Sequence, residues 1–263
     1  NADELRYPAS LTKMMTLYLL FEAIEAHRVN LFTMIPVSPH AASQAPSTLR
    51  LRPGDQIDVL TAIHALTVKS ANDVAVAVGE YLGGTEDRFA EMMTAKARAL
   101  GMKGTTFRNA SGLPDPAQVT TARDMALLGI SLRRRFPDKF SYFSATSFDF
   151  RGKQIRGHND LLGRVEGVDG IKTGYVKASG FNIVTNQANV TLDGATSVYR
   201  WQGAVEEAVE TVFIAKTTKA LSGEALTRIQ ALHSYDVPAA AVYDMAGGLP
   251  AYLAWIAGET KVP

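Results

Sequence analysis

The sequence predicts an α+β protein that is mostly helical in its first half and richer in strands thereafter. Apolar residues at helical spacing recur up to about residue 135. From Phe140 onward, short runs rich in β-branched and aromatic residues are separated by turns that contain glycine. A second change of composition near Gln187, beyond which both tryptophans lie, predicts two regions, over residues 1–186 and 187–263.

Four helices are predicted in the first region from apolar spacing and terminal signals. The stretch from Leu11 to Ala26 is so densely apolar that we expect its helix to be buried on nearly every side. Further helices are predicted around residues 59–66, over 86–100, and after a capping box at 121–124.

Strands are predicted after residue 140. "SFDFRGKQI" is typical of a hairpin that turns near Arg151-Gly152, and "GIKTGY" is predicted to pair with "GFNIVTN". Beyond Gln187 a mixed series of strands and helices is predicted. Its segments are strands in "ANVTL", "TSVYRWQG" and "ETVFIAKTT", a helix around Leu226, a strand in "AAAVYDM" and a final helix from Pro250.

Composition excludes several classes of function. The 263 residues are 46% hydrophobic and 20% charged, and the net charge of +1 provides no basic field for nucleic acid. The absence of cysteine excludes disulfides and thiolate metal sites. No apolar run reaches the roughly 18 residues of a membrane helix, so we expect no transmembrane segment. The chain begins at Asn1 without a signal peptide, so we expect that an N-terminal piece was removed or not captured.

The stretch "YPASLTKMM" contains the first candidate for catalysis. Ser10 and Lys13 are three residues apart, which places them on one face of a helix. A serine needs a base to become nucleophilic, and a lysine can serve only if burial and nearby positive charge keep it neutral. The apolar helix start supplies that burial, and the helix N-terminus supplies partial positive charge for an oxyanion.

Two further motifs follow in order. "KSAND" contains Ser70, whose hydroxyl can relay a proton, and Asn72, whose amide can bind a peptide carbonyl. "IKTGY" contains Lys172 and Thr173, which can hold a carboxylate, and a glycine that allows a substrate backbone to approach. The patterns S-x-x-K, S-x-N and K-T-G each occur once, an ordered set that is typical of penicillin-binding proteins and class A β-lactamases.

With these motifs, residues 1–186 resemble the D-alanyl-D-alanine carboxypeptidases, the penicillin-binding proteins of low molecular mass. The likeness extends over "LTVKSANDVAVAVGEYLGG", "GTTFRNASGLPD", "TTARDMALLG", "HNDLL" and "GVDGIKTGYVKASGFNIV". It implies that Ser10 is the acylated nucleophile, Lys13 its base and Ser70 a proton relay. It further implies a peptidoglycan stem peptide or a β-lactam as ligand, no cofactor, no metal and a periplasmic location.

The resemblance also implies a substrate-binding set. Asn72 would contact the substrate, and Lys172 and Thr173 would grip its terminal carboxylate beside Gly174. The backbone N–H groups of Ser10 and Tyr175 would form the oxyanion hole. A β-lactamase is the nearest alternative, but the E-x-x-L-N pattern that class A enzymes need for deacylation does not occur in the sequence. We therefore favour the carboxypeptidase.

Residues 187–263 resemble a different family, the CutA divalent-ion tolerance proteins. The likeness is carried by "TSVYRWQGAVEEAVETVFIAKTT" and "LHSYDVPAAAVYDMAGGLPAYLAWI". It implies a partial ferredoxin-like αβ fold and a possible homotrimer. His233 has no cysteine partner for a metal site, so we interpret it as a structural or solvent-exposed residue, and Trp201 and Trp255 as packing or interface residues.

Both resemblances are incomplete. The carboxypeptidase family builds a five-stranded sheet, of which three strands and the closing helix are absent from this sequence. The resemblances therefore imply an incomplete penicillin-recognising fold followed by a partial αβ segment. The alternative to an active enzyme is a catalytically impaired fusion whose CutA-like part drives trimerisation or metal-related binding.

Overall fold

The computed structural model describes residues 2–162, 164, 168–176, 180–185, 190–201, 204–214, 221–232 and 242. The chain divides into two compact units, Asn1–Gln187 and Ala188–Pro263. The described helices include none that is long and apolar enough to cross a membrane.

Helices form most of the first unit. They are α1 (Thr12–Glu25), α2 (Pro39–Ala42), α3 (Val59–His64), α4 (Asn72–Gly83), α5 (Glu86–Ala99) and α6 (Ala122–Arg135). The four helices predicted in the first region are present as α1, α3, α5 and α6, whereas α2 and α4 have no counterpart in the prediction. Helix α1 is buried along almost its whole length, as its uniform apolarity requires. Helix α3 differs from its prediction because it widens into a π-helical turn, Ala65–Lys69, that ends at Ser70.

The start of α6 is capped as its sequence predicts, with one difference. The hydroxyl of Thr121 accepts a hydrogen bond from the Asp124 amide at 3.1 Å. The Asp124 carboxylate does not return to the cap. It accepts hydrogen bonds from the Gly104 amide at 2.8 Å and the Thr105 hydroxyl at 2.6 Å, so it ties α6 to the preceding loop instead.

The described strands form four antiparallel pairs. They are β1 (Met34–Pro36) with β2 (Gln56–Asp58), β3 (Ser147–Phe150) with β4 (Lys153–Arg156), β5 (Ile171–Val176) with β6 (Gly180–Thr185), and β7 (Val190–Trp201) with β8 (Ala204–Ile214). The predicted turn between β3 and β4 is correct, because Arg151 and Gly152 both have positive φ.

The hairpin β5–β6 carries the K-T-G motif and packs on α6. Gly129 of α6 is what allows this approach. A Cβ atom at Gly129 would lie 3.1 Å from Ile171 Cδ1 and 3.3 Å from Val184 Cγ1. Within the described residues, the K-T-G strand has β6 as its single partner in the sheet. The motif therefore sits in a two-stranded sheet that is supported by a helix.

The second unit contains β7, β8 and helix α7 (Ser222–Leu232). The predicted strands "ANVTL" and "TSVYRWQG" contribute to one long strand, β7, with an irregularity of register between Leu192 and Ala195. Two strands and a helix, β7, β8 and α7, are therefore observed where three strands and a helix are predicted. The strand predicted in "AAAVYDM" lies outside the described residues apart from Val242, and the final helix, His233 and Trp255 lie wholly outside them.

Candidate active site

Ser10 lies in a tight turn immediately before α1. The turn is a single 3₁₀ segment, Ala9–Leu11, and Ala9 adopts a left-handed conformation with φ of 49°. Gly112 presses against this turn from the loop 109–113. A Cβ atom at Gly112 would come within 1.8 Å of the Ala9 carbonyl oxygen, so only glycine fits there. The strained left-handed conformation of Ala9 is thus maintained by a backbone contact with Gly112.

The amine of Lys13 is the centre of the site. Lys13 is fully buried, and its Nζ lies 3.1 Å from Ser10 Oγ, 2.8 Å from Asn72 Oδ1 and 2.6 Å from the Ser111 carbonyl oxygen. The oxygen atoms of Asn72 and Ser111 can only accept hydrogen bonds. A neutral amine therefore gives both of its N–H bonds to them, and its lone pair is left facing the Ser10 hydroxyl.

The surroundings of Lys13 favour that neutral form. Burial lowers the pKa of Lys13 well below its usual value, and the positive charge of Lys172 lowers it further. The carboxylate of Asp73 acts in the opposite direction but more weakly. Burial and charge thus provide the two conditions under which a lysine can accept a proton from serine.

Asn72 is held by backbone contacts on the side away from Lys13. Its Nδ2 donates to the Ala45 carbonyl at 3.3 Å, and its amide donates to the Ser47 carbonyl at 2.6 Å. These contacts settle the orientation of the side chain, with Oδ1 toward Lys13.

Ser70 ends the π-helical turn in a left-handed conformation, with φ of 59° and ψ of 39°. Its Oγ is buried and has no hydrogen-bond partner among the described residues. The structure therefore joins Ser10, Lys13 and Asn72 by direct contacts, whereas the predicted relay through Ser70 is not represented by a hydrogen bond.

Asp73 is a residue that sequence reasoning missed. Its buried carboxylate accepts hydrogen bonds from the amides of Leu49, at 3.0 Å, and Leu51, at 3.2 Å. It therefore clamps the segment that runs past Asn72. Burial raises the pKa of Asp73, and the backbone donors oppose that rise. The only signal in the sequence was its position directly after the S-x-N motif.

Strand β5 lies beside the nucleophile turn. A Cβ atom at Gly174 would be 3.1 Å from the Ser10 amide nitrogen and 3.3 Å from Ala9 Cβ. The sequence suggested that this glycine admits a substrate backbone, but its nearest neighbour in the structure is the nucleophile turn itself. Tyr175, the next residue, is 57% exposed.

Lys172 and Thr173 face a cavity of about 400 Å³. The Lys172 amine is almost fully buried and donates to the Thr173 carbonyl at 2.9 Å. Burial lowers the pKa of Lys172 to about 7. An anion bound near this amine would favour its protonated, positively charged form.

The cavity is also lined by basic residues that the motifs did not identify. They include Arg156, His158 and Arg164, with Asn159 between them. Burial and the charges of Lys69 and Lys172 lower the pKa of His158. His158 belongs to "HNDLL", one of the stretches that carry the family likeness. In the structure it lines the cavity.

The described residues contain no group of three or more histidine, aspartate and glutamate side chains that could hold a metal ion. The site contains a buried amine, a serine hydroxyl and a cavity lined in part by basic side chains.

Comparison with family models gives two matches. The model of the D-alanyl-D-alanine carboxypeptidases matches residues 1–198, and that of the CutA1 divalent ion tolerance proteins matches residues 185–259.

Curated relatives agree with the first match. The carboxypeptidase DacC of Escherichia coli is 36% identical over 193 residues, which are 71% of this chain and 48% of DacC. DacF of Bacillus subtilis is 33% identical over 181 residues, which are 66% of this chain and 46% of DacF. The chain thus spans about half the length of the curated relatives it matches.

Solved structures of similar fold are penicillin-binding proteins. The carboxypeptidase DacD of Francisella tularensis has a TM-score of 0.66 at 28% identity, over 87% of this chain and 64% of that one. Penicillin-binding protein D2 of Listeria monocytogenes, solved in its ampicillin-bound form, has a TM-score of 0.59 at 26% identity, over 88% of each chain.

Proposed function

Since the chain belongs, over residues 1–198, to the D-alanyl-D-alanine carboxypeptidase family, we propose that it is a serine hydrolase acting on the D-Ala-D-Ala end of peptidoglycan stem peptides. The observation that carries the proposal is the environment of Lys13. Its amine is buried, contacts Ser10 and is fixed by two carbonyl oxygens. This arrangement is the one a lysine needs in order to act as a base toward serine.

In the first step, Ser10 Oγ attacks the carbonyl carbon of the peptide bond between the two D-alanines. Its proton passes to Lys13 Nζ, and the carbonyl oxygen becomes an oxyanion. The amides of Ser10 and Tyr175 stabilise this charge. The tetrahedral intermediate collapses when the proton moves from Lys13, through the Ser70 hydroxyl, to the departing amine. D-Alanine leaves, and the rest of the peptide remains as an ester on Ser10.

In the second step, water attacks the ester. Lys13 removes its proton, and Ser10 Oγ leaves as the alcohol after regaining a proton. A β-lactam enters the same first step, except that its amide bond lies in a ring, so the leaving amine stays attached to the acyl-enzyme.

The substrate is oriented by its carboxylate. Lys172 and Thr173 on β5 bind the terminal carboxylate, and Asn72 binds the peptide on the opposite side. Because Lys172 is buried with a pKa of about 7, an arriving carboxylate favours its charged form. Peptidoglycan as the substrate class and the periplasm as the compartment are what the likeness to this family implies.

A second candidate function is assembly through residues 185–259. The match to the CutA1 model over these residues favours it. In this alternative, the catalytic region is impaired and the second region drives trimerisation or metal-related binding.

The deciding experiment is intact mass spectrometry after incubation with benzylpenicillin, with Ser10→Ala as the control. The proposal predicts one penicilloyl adduct on the unmodified chain and none on the variant. Hydrolysis of a D-Ala-D-Ala peptide is then the next assay. A folded protein without an adduct would contradict the enzyme proposal and favour the assembly function.

A further inference from the structure

Glu86 is a mostly buried carboxylate outside the three motifs. It lies in the first turn of α5, and its side chain is 13% exposed. Its Oε1 accepts a hydrogen bond from the Ala110 amide at 2.9 Å, and its Oε2 lies 2.7 Å from His40 Nε2. Neither contact belongs to the chemistry described above. Both lead toward Lys13.

The first contact reaches the Ser111 carbonyl. The carbonyl of Ala110 accepts from the Thr16 hydroxyl at 2.7 Å, and the next carbonyl, that of Ser111, accepts from Lys13. The Gly112 amide donates to Asn109 Oδ1 at 2.7 Å. The backbone groups of residues 110–112 thus form hydrogen bonds with several different partners. Among the acceptors of their amides, Glu86 is the one that carries a charge. It fixes the amide one residue before the carbonyl that orients the base.

The second contact reaches Asn72. Gln44 Nε2 lies 3.3 Å from His40 Nδ1 and 3.0 Å from the His40 carbonyl, so Nδ1 accepts and the proton of neutral His40 lies on Nε2. That proton is donated to Glu86. His40 belongs to α2, and the loop that follows α2 carries the carbonyls of Ala45 and Ser47 that hold Asn72.

Lys13 therefore donates to two acceptors, the Ser111 carbonyl and Asn72 Oδ1. Glu86 contacts Ala110 next to the first, and His40 in the helix before the loop that holds the second. We propose that Glu86 is a positioning residue that fixes, through Ala110 and through His40, the two carbonyl oxygens to which Lys13 gives its N–H bonds. This inference rests on the proposed function of Lys13 as the base. It assigns Glu86 no contact with the substrate. Its effect is on the rate of proton removal from Ser10, and not on ligand binding.

Three variants test the assignment. Glu86→Ala removes both contacts, whereas Glu86→Gln keeps an acceptor for the Ala110 amide. Asp87→Ala is the matched control, because Asp87 lies in the same first turn of α5 and is exposed. It removes the same favourable charge at the helix N-terminus, so any loss through the helix dipole is common to both alanine variants.

The measurements are the acylation rate constant and the non-covalent dissociation constant for benzylpenicillin. For Glu86→Ala we expect acylation to slow by about tenfold to a hundredfold, the range that small misplacements of catalytic groups produce. Binding should remain unchanged, Glu86→Gln should restore most of the rate, and Asp87→Ala should react like the unmodified protein. Equal acylation rates in Glu86→Ala and Asp87→Ala would overturn the inference.

Hydrogen exchange separates this inference from the proposed function. An unmodified chain that forms no adduct would contradict the proposed function alone. In that case, exchange of the amides of residues 109–113 decides the role of Glu86. Faster exchange in Glu86→Ala than in Asp87→Ala would support its hold on this loop, and equal protection would overturn it.

Discussion

At the scale of single residues, the site depends on placing one amine where it is both buried and uncharged. A buried ammonium is unfavourable, and a second amine nearby makes it more so. Burial lowers the pKa of both Lys13 and Lys172, and the charge of Lys172 lowers the pKa of Lys13 further. The two lysines nevertheless have opposite roles in the proposed reaction, because one must be neutral and the other must meet an anion.

The pH dependence of ligand binding tests the role of Lys172. With a pKa of about 7, Lys172 loses its charge as the pH rises above 7, so it then holds a carboxylate less well. The affinity of the Ser10→Ala protein for benzylpenicillin should therefore fall above pH 7, by up to about tenfold per pH unit. Calorimetric titration measures this. An arginine at position 172 keeps its positive charge, so the affinity of Lys172→Arg for benzylpenicillin should stay constant from pH 7 to 9. A parallel fall in affinity with and without this change would contradict the role of Lys172 in binding the carboxylate.

The contact between Gly112 and Ala9 provides a second test at this scale. Gly112→Ala should lower the free energy of unfolding, because its Cβ atom overlaps the Ala9 carbonyl. We expect this overlap to cost about 1–3 kcal/mol beyond the cost of placing an alanine at positive φ. Gly54→Ala is the control: Gly54 has φ of 87°, close to the 86° of Gly112, and a Cβ there meets nothing within 4 Å. Denaturant unfolding gives both free energies. Acylation should be lost only in Gly112→Ala, and equal effects of the two changes would show that the contact is unimportant.

At the scale of elements, the site forms where three segments meet. Helix α1 brings Lys13, the start of α4 brings Asn72, and β5 brings Lys172. A two-stranded sheet is marginal alone. Hairpin β5–β6 therefore depends on its support by α6 and by the nucleophile turn, in both cases across a glycine.

Filling the space at Gly129 tests that support. Gly129→Leu places a side chain where Ile171 Cδ1 and Val184 Cγ1 lie within 3.3 Å of the new Cβ, so β5 must move away from α6. We expect both weaker benzylpenicillin binding and slower acylation, by about tenfold or more, since β5 carries the carboxylate grip. Ala126→Leu, which adds similar bulk at an exposed position of the same helix, should leave both unchanged. Normal acylation of Gly129→Leu would show that the hairpin does not need α6.

At the scale of the whole molecule, the chain joins segments that match two unrelated families. The two matches overlap only at residues 185–198. Each family contributes an expectation of its own, covalent chemistry from the first and assembly from the second.

Light scattering tests the assembly. If residues 185–259 associate as CutA-like proteins do, the particle should have three times the 28.4 kDa mass of one chain. Ser10→Ala should give the same mass, because its change lies in the other unit. A monomer at micromolar concentration would contradict trimerisation and leave the acylation chemistry of the first unit unaffected.

The sequence by itself determined α1, α3, α5, α6 and α7, the hairpin turn at Arg151-Gly152 and the identity of the three motifs, but it did not predict α2 or α4, the helix that carries Asn72. These depend on local spacing, on terminal residues and on residue type, all of which are readable along the chain. Uniform apolarity predicted a buried α1, and Thr121 predicted the start of α6. The capping box was only half correct, because the Asp124 carboxylate found buried partners in a loop twenty residues away.

Only the tertiary structure decided what surrounds the motifs. Four contacts around the site join residues that are far apart in sequence. They are those of the Ser111 carbonyl with Lys13, of Asp73 with the Leu49 amide, of Gly112 with Ala9, and of Glu86 with the Ala110 amide. No local pattern encodes them, because backbone carbonyls and amides are the same at every position. The lowered pKa of Lys13 has the same origin, since it follows from burial and from the charge of Lys172, which only the folded chain brings close to Lys13.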